Sequence, residues 1–254
     1  MQGCKVPALG FGTWQLSGAE AQEATRHALE IGYRQIDTAQ AYGNEGEVGT
    51  AIEQSGVARE DVFLTTKIVR DSLVGSKVGP AVDDSLRRLR TDYVDLLLIH
   101  WPSEDTPLAE TLDAMAEVQE AGKVRHLGVS NFRAPLLVEA MDRVRILADQ
   151  VPYQPGRTQN SIREIAQTRD VMLTAYSPLR GEGMKSPVLA EIAGAHAKTP
   201  QQVALRWLLQ QDKVSPIPRS SNPRHREQNF DVFDFELSAE EMAQIDAIKV
   251  EAAS

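Results

Sequence analysis

Residues 93–100 read Tyr-Val-Asp-Leu-Leu-Leu-Ile-His, "YVDLLLIH", and the unbroken apolar run from Leu96 to Ile99 decides the class of fold. A strand with one wet face alternates apolar and polar side chains, whereas a strand covered on both faces does not. The run therefore predicts a parallel strand packed on both sides. Similar short β-rich runs lie at 34–37, 62–67, 124–130, 171–176 and 214–217, with weaker ones at 8–13 and 148–151. Strand ends at 37, 67, 100 and 130 are 30, 33 and 30 residues apart, which is the length of one strand plus one helix.

The segments between the strands carry helix punctuation. Ser17 with Glu20 predicts a capping box, and Gly32 a stop. Thr106-Pro107 opens a second helix with Pro in its first turn; Leu108, Leu112 and Met115 form its apolar face, and Gly122 closes it. Thr199-Pro200 opens a third, with Val203, Trp207 and Leu208 inward. Ser238 and Glu241 box the last, over Met242, Ile245 and Ile248. About eight strand–helix units predict an α/β fold of the (β/α)8 TIM-barrel type, with its site at the C-terminal ends of the strands. A doubly wound open sheet is the alternative, but no G-x-G-x-x-G follows an early strand. No composition shift divides the 254 residues, so one domain over 1–254 is expected, with loops at 152–160 and 178–187.

A formal net charge of −9 argues against general nucleic-acid or anionic-membrane binding, which needs basic surface. No apolar run reaches the length of a membrane helix, and the first residues lack a secretory pattern, so a cytoplasmic protein is expected. Nothing in the sequence demands assembly, and the expected state is a monomer. Cys4 is the only cysteine, and it reads as a passive thiol. The histidines at 27, 100, 126, 196 and 225 show no ligand spacing with carboxylates, so no metal site is expected. His126, Trp207 and Asp95 read as structural, and His196 as a helix-end contact.

A barrel gathers its strand ends into one site. Here those ends carry Asp37, Lys67, His100, Ser130-Asn131, Gln150 and Tyr176, and Tyr42 follows Asp37 closely in "IDTAQAYGNE" at 36–45. An ordinary phenol, with a pKa of about 10, is a poor acid near neutrality. An ammonium such as Lys67 beside it would lower that value, Asp37 would hold Lys67 charged, and His100 would hydrogen-bond a substrate oxygen. Those roles suit reduction of a carbonyl.

The motifs "GFGTW" at 10–14, "IDTAQAYGNE", "TTKI" at 65–68, "DLLLIHWP" at 95–102, "GVSNF" at 128–132, "AYSPL" at 175–179 and "IPRSSNPRHREQNFDVFDFELS" at 217–238 resemble the aldo-keto reductases, in the family's order. The compact bacterial branch, with its 2,5-diketo-gluconate and methylglyoxal reductases, is the most similar in flavour. The resemblance implies a catalytic tetrad of Asp37, Tyr42, Lys67 and His100, with Tyr42 as the acid and Asp37 also beside the cofactor. It implies NADPH as cofactor, with NADH as a possible second. Ser130, Asn131 and Gln150 would bind the carboxamide of the nicotinamide, and Tyr176 would stack on its ring. Ser177, Pro178 and Leu179 would follow the pyrophosphate. Thr13 and Trp14 would line the opposite side, and Trp14, Tyr42, His100 and Trp101 would wall a pocket for a small carbonyl substrate. A cofactor-binding redox sensor of the same fold is the alternative function.

Two departures qualify the resemblance. Arg219, Ser220 and Ser221 match the stretch around the adenosine 2′-phosphate, and Gln228 and Asn229 the adenine contacts. Where relatives that prefer NADPH place an arginine, however, this chain has His225, flanked by Arg224 and Arg226 as possible substitutes. In addition, only "KVEAAS" follows Ile248, and the loop at 178–187 is short, so the resemblance implies a rather open pocket.

Overall fold

The computed structural model describes residues 3–250. Eight parallel strands run in sequence order: β1 (Phe11–Gly12), β2 (Gln35–Asp37), β3 (Phe63–Ile68), β4 (Val94–Ile99), β5 (Val124–Ser130), β6 (Ile146–Pro152), β7 (Met172–Tyr176) and β8 (Val214–Pro216). The Gly10 N–H donates to Pro216 O at 3.0 Å and the Gly12 N–H to Pro218 O at 3.1 Å, which joins the last strand to the first. A Cβ on Gly12 would stand 2.8 Å from the Ile217 carbonyl oxygen, so this seam closes only around glycine. The (β/α)8 expectation holds, and every expected strand is present.

Helices pack around the strands: α1 (Gly18–Ile31), α2 (Glu45–Gln54), α3 (Gly75–Leu89), α4 (Leu108–Glu120), α5 (Ala134–Arg143), α6 (Asn160–Arg169), α7 (Pro187–Ala195), α8 (Pro200–Leu209), α9 (Pro223–Phe230) and α10 (Ala239–Asp246). The capping boxes at Thr199/Gln202 and Ser238/Glu241 form, each with reciprocal side-chain bonds. The box expected at Ser17 does not. Its hydroxyl makes no cap bond, because Gly18 takes a left-handed φ of 51° and the first turn departs from regular geometry. Pro107 is the cap of α4 rather than a member of its first turn.

Strand parity explains both the core and the site. Leu96 and Leu98 of β4 join Phe63, Ala148 and Met172 in the cluster that fills the barrel. Leu97 and Ile99 join the larger layer between strands and helices. The even-numbered series of β4 next reaches His100, so the residue after Ile99 points toward the barrel mouth. The same alternation turns Asp37, Lys67, Ser130, Gln150 and Tyr176 inward. Asp95 braces the outside as expected, accepting from Arg59, Arg125 and the Leu64 N–H. His196 stands at a helix end as expected: it is the C-cap of α7, its backbone N–H donates to Ile192 O at 3.2 Å, and its Nε2 pairs with Glu241 at 2.7 Å.

Asp149 has the opposite parity from Gln150 and is fully buried. Neither carboxyl oxygen has a hydrogen-bond partner of good geometry. Burial pushes its pKa well above the ordinary aspartate value, opposed by the Phe132 backbone N–H. The folded chain therefore keeps this proton to higher pH than the unfolded chain does. Its contribution to stability is present below the unfolded value and is lost as pH rises through the folded one. Asp149→Asn keeps the shape without the ionisation, so it should raise Tm at about pH 7 and change it little at about pH 4. Thermal melts at both pH values check this; an equal effect at both would refute it.

Candidate active site

The ends of β2 and β3 build the centre of the site. Asp37 and Thr65 are register partners, so the exit of β2 lies beside Lys67. A short 3-10 turn at Gln40–Tyr42 then brings the phenol over the strand ends. Its C-cap, Gly43, is left-handed at φ 67°, and Asn44 fixes the following chain through bonds to Thr38, Thr13 and Leu16.

Lys67 has no solvent exposure. Its Nζ donates to Asp37 Oδ1 at 2.5 Å, to Thr38 O at 2.9 Å and to the Tyr42 hydroxyl at 3.1 Å. Burial alone would drive its pKa down, but the charges of Asp37 and Tyr42 reverse that and raise it. The group is a firmly held ammonium, as the sequence leads one to expect. Tyr42 departs from expectation: burial raises its pKa and outweighs the lowering by Lys67. The phenol thus keeps its proton at neutral pH. His100 stands with its ring 5.7 Å from that of Tyr42, edge to face. Burial, assisted by the charge of Lys67, lowers its pKa to about 4. At neutral pH it is an uncharged imidazole.

A cavity of about 560 Å³ opens at this end of the barrel. Its wall includes Trp14, Asp37, Tyr42, His100, Trp101, Ser130, Asn131, Gln150, Tyr176, Ser177, Pro178, Leu179 and Arg219, so most of the expected site residues converge. Lys67 and Thr13 lie just behind that wall; Thr13 Oγ1 donates to Asp37 O at 2.9 Å. Gln150 Nε2 donates to Asp37 Oδ2 at 2.7 Å, and Ser130 Oγ to Gln150 O at 2.8 Å. Asn131, left-handed at φ 63°, donates to His100 O at 3.0 Å and accepts from the Tyr176 hydroxyl at 2.9 Å. A ring face beside an amide and hydroxyl cluster suits a planar heteroaromatic amide, and Arg219, which donates to the Trp14 carbonyl at 3.0 Å, suits phosphate. The residues present fit a nicotinamide dinucleotide.

Ser220, Ser221, Gln228 and Asn229 lie outside the cavity wall, on or before α9, and His225 is exposed. Arg226 is not a substitute phosphate ligand. It is buried, donating to Ser220 O and Ser221 O and to His27 Nδ1, so its guanidinium braces the loop from inside. Of the two flanking arginines only Arg224 is exposed. Sequence reasoning missed Gly12, Ala41, Arg180, Ile217 and Pro218 in the wall. Four of these are neutral residues with no chemical signal, and Arg180 follows "AYSPL" directly in the loop.

A family model described as the Aldo/keto reductase family matches residues 8–250. The chain is 40% identical over 250 residues to the glyoxal reductase of Bacillus subtilis (strain 168), covering 97% of the chain and 90% of the relative. To the methylglyoxal reductase DkgB of Escherichia coli O157:H7 it is 38% identical over 249 residues, covering 96% and 93%. The crystal structure of a Bombyx mori aldo-keto reductase in complex with NADP superposes with a TM-score of 0.88 at 33% identity, covering 96% of this chain and 90% of that one.

The burial of His100 gives a direct prediction. Followed by NMR, its imidazole should titrate with a midpoint of about 4 and stay uncharged through neutrality. A midpoint near the ordinary value of about 6.5 would contradict the described environment.

Proposed function

The chain belongs to the aldo/keto reductase family, oxidoreductases acting on carbonyl groups, and from that premise we propose that it reduces small aldehydes and activated ketones with NADPH. The 2-oxoaldehydes and keto-sugars are the favoured substrates, in keeping with the glyoxal and methylglyoxal reductases among its relatives. NADH serves as a weaker second cofactor. The relatives are named for catalysis, which favours turnover over a sensing role.

The contact between Lys67 Nζ and the Tyr42 hydroxyl, at 3.1 Å, carries this proposal. A reduced nicotinamide held by these residues would supply the hydride for the carbonyl carbon. Tyr42 gives its phenolic proton to the carbonyl oxygen, completing the alcohol. The Lys67 ammonium stabilises the phenolate left behind, and Asp37 holds that ammonium in place. His100, neutral, donates a hydrogen bond to the same oxygen and aligns it. Ser130, Asn131 and Gln150 position the carboxamide, Tyr176 supports the ring, and Trp14 and Trp101 wall the substrate. Ser177, Pro178 and Leu179 border the pyrophosphate. Arg219, Ser220, Ser221 and His225 serve the 2′-phosphate, and Gln228 and Asn229 the adenine.

Tyr42→Phe tests the acid. Methylglyoxal reduction should fall by about 100-fold or more while NADPH affinity, read by fluorescence titration, stays close to that of the parent. Retained turnover in the phenylalanine variant would remove Tyr42 from its role. The cofactor preference has its own test. His225→Arg adds a guanidinium beside the proposed 2′-phosphate, so Kd for NADPH should fall about tenfold with Kd for NADH unchanged. Equal tightening of both cofactors would place position 225 elsewhere.

A further inference from the structure

The cavity mouth has an electrostatic character that the chain as a whole lacks. The protein carries a formal charge of −9, yet two arginines, Arg180 and Arg219, line this cavity. Asp37 is the one carboxylate among its wall residues, and both its oxygens are taken, by Lys67 and Gln150. Among the described residues neither arginine has a carboxylate partner. They share a neutral one: Gln15 Oε1 accepts from Arg180 at 2.8 Å and from Arg219 at 3.2 Å. Gln15 holds a left-handed φ of 64° to reach between them.

The two guanidiniums are placed differently. Arg219 also donates through Nε to the Trp14 carbonyl at 3.0 Å, on the β8 side of the cavity. Arg180 lies against the Trp14 ring, 4.8 Å from its centroid. That ring lines the same cavity as Tyr42, His100 and Trp101. A guanidinium has five N–H donors in a planar fork suited to an oxyanion, and stacking on Trp14 orients that fork without neutralising it.

We propose that Arg180, held on Trp14 and Gln15, recognises a carboxylate on the carbonyl substrate, so that the enzyme favours oxo acids over neutral carbonyls of the same length. This rests on the carbonyl-reductase assignment above. The oxyanion it meets has two possible sources, the substrate carboxylate and a cofactor phosphate, and the experiment separates them.

Succinic semialdehyde and butanal, four-carbon aldehydes with and without a carboxylate, are compared in the parent, Arg180→Met and Arg180→Lys, alongside NADPH affinity by fluorescence titration. Methionine keeps the apolar contact with Trp14 and removes the charge. The parent should prefer succinic semialdehyde. In Arg180→Met its KM should rise about 10- to 100-fold, with kcat little changed and butanal altered less than about threefold. Arg180→Lys should recover part of the loss, and the preference in the parent should weaken with added salt. Parallel losses on both aldehydes with weakened NADPH binding would assign Arg180 to a cofactor phosphate and overturn the proposal. So would a parent without preference. Turnover of neither aldehyde by the parent would instead count against the reductase assignment itself, and the proposal would fall with it.

Discussion

A lysine ammonium without solvent contact is tenable only where acceptors surround it, and Lys67 imposes that condition on the barrel mouth. Its three acceptors are Asp37 Oδ1, Thr38 O and the Tyr42 hydroxyl, all drawn from the chain leaving β2. Satisfying one buried charge therefore dictates how that exit wraps around the end of β3. The 3-10 turn that carries Tyr42 is held to the same geometry by Asn44, itself buried and fully engaged behind it. An alternative course for residues 37–44 would strand the ammonium, at a cost of several kcal/mol.

From Asp37 the constraint passes around the barrel. Its second oxygen accepts from Gln150, and the Gln150 carbonyl accepts from Ser130 Oγ and the Asn131 N–H. Asn131 then reaches His100 on one side and Tyr176 on the other. The ends of β2 to β7 are tied by polar bonds in addition to their strand ladders. Most of the polar cavity wall is engaged within the protein itself, so a ligand meets groups that are already oriented. That is the arrangement from which electrostatic preorganisation arises, because little reorientation is left for the moment of reaction.

Much of this was legible in the chain. The two-sided apolar run at Leu96–Ile99, the roughly thirty-residue spacing and strand parity carry the barrel and place Asp37, Lys67, His100, Gln150 and Tyr176 at one end. These are periodic, local signals. What escaped depends on three-dimensional surroundings. Ser17 has the residues of a capping box, but the left-handed Gly18 after it spoils the geometry. Arg226 looked like a phosphate ligand beside His225, yet its position on α9 turns it inward to the carbonyls of Ser220 and Ser221. Arg180 gave no signal beyond its charge, since its meaning comes from Trp14 and Gln15, more than 160 residues away in the chain. The sign of the Tyr42 shift was also beyond reach. The sequence names a cation nearby but not the depth of burial that opposes it.

That sign bears on how the proposed reaction divides its labour. A phenol held below its ordinary pKa would lose its proton too readily in the resting site, and a protonated histidine would compete with it as the acid. Here burial raises Tyr42 and lowers His100 to about 4, so the proton rests on the phenol and the imidazole is left as a neutral hydrogen-bond donor. The two shifts share a principal cause, exclusion of water, which disfavours phenolate and imidazolium alike. Lys67 acts on both in the other sense for a tyrosine and in the same sense for a histidine, because its positive charge favours phenolate and disfavours imidazolium. As the proton leaves Tyr42, the growing negative charge is stabilised directly by the ammonium at 3.1 Å. Burial thus keeps the acid loaded at rest, and the same buried lysine that anchors the fold lowers the cost of discharging it.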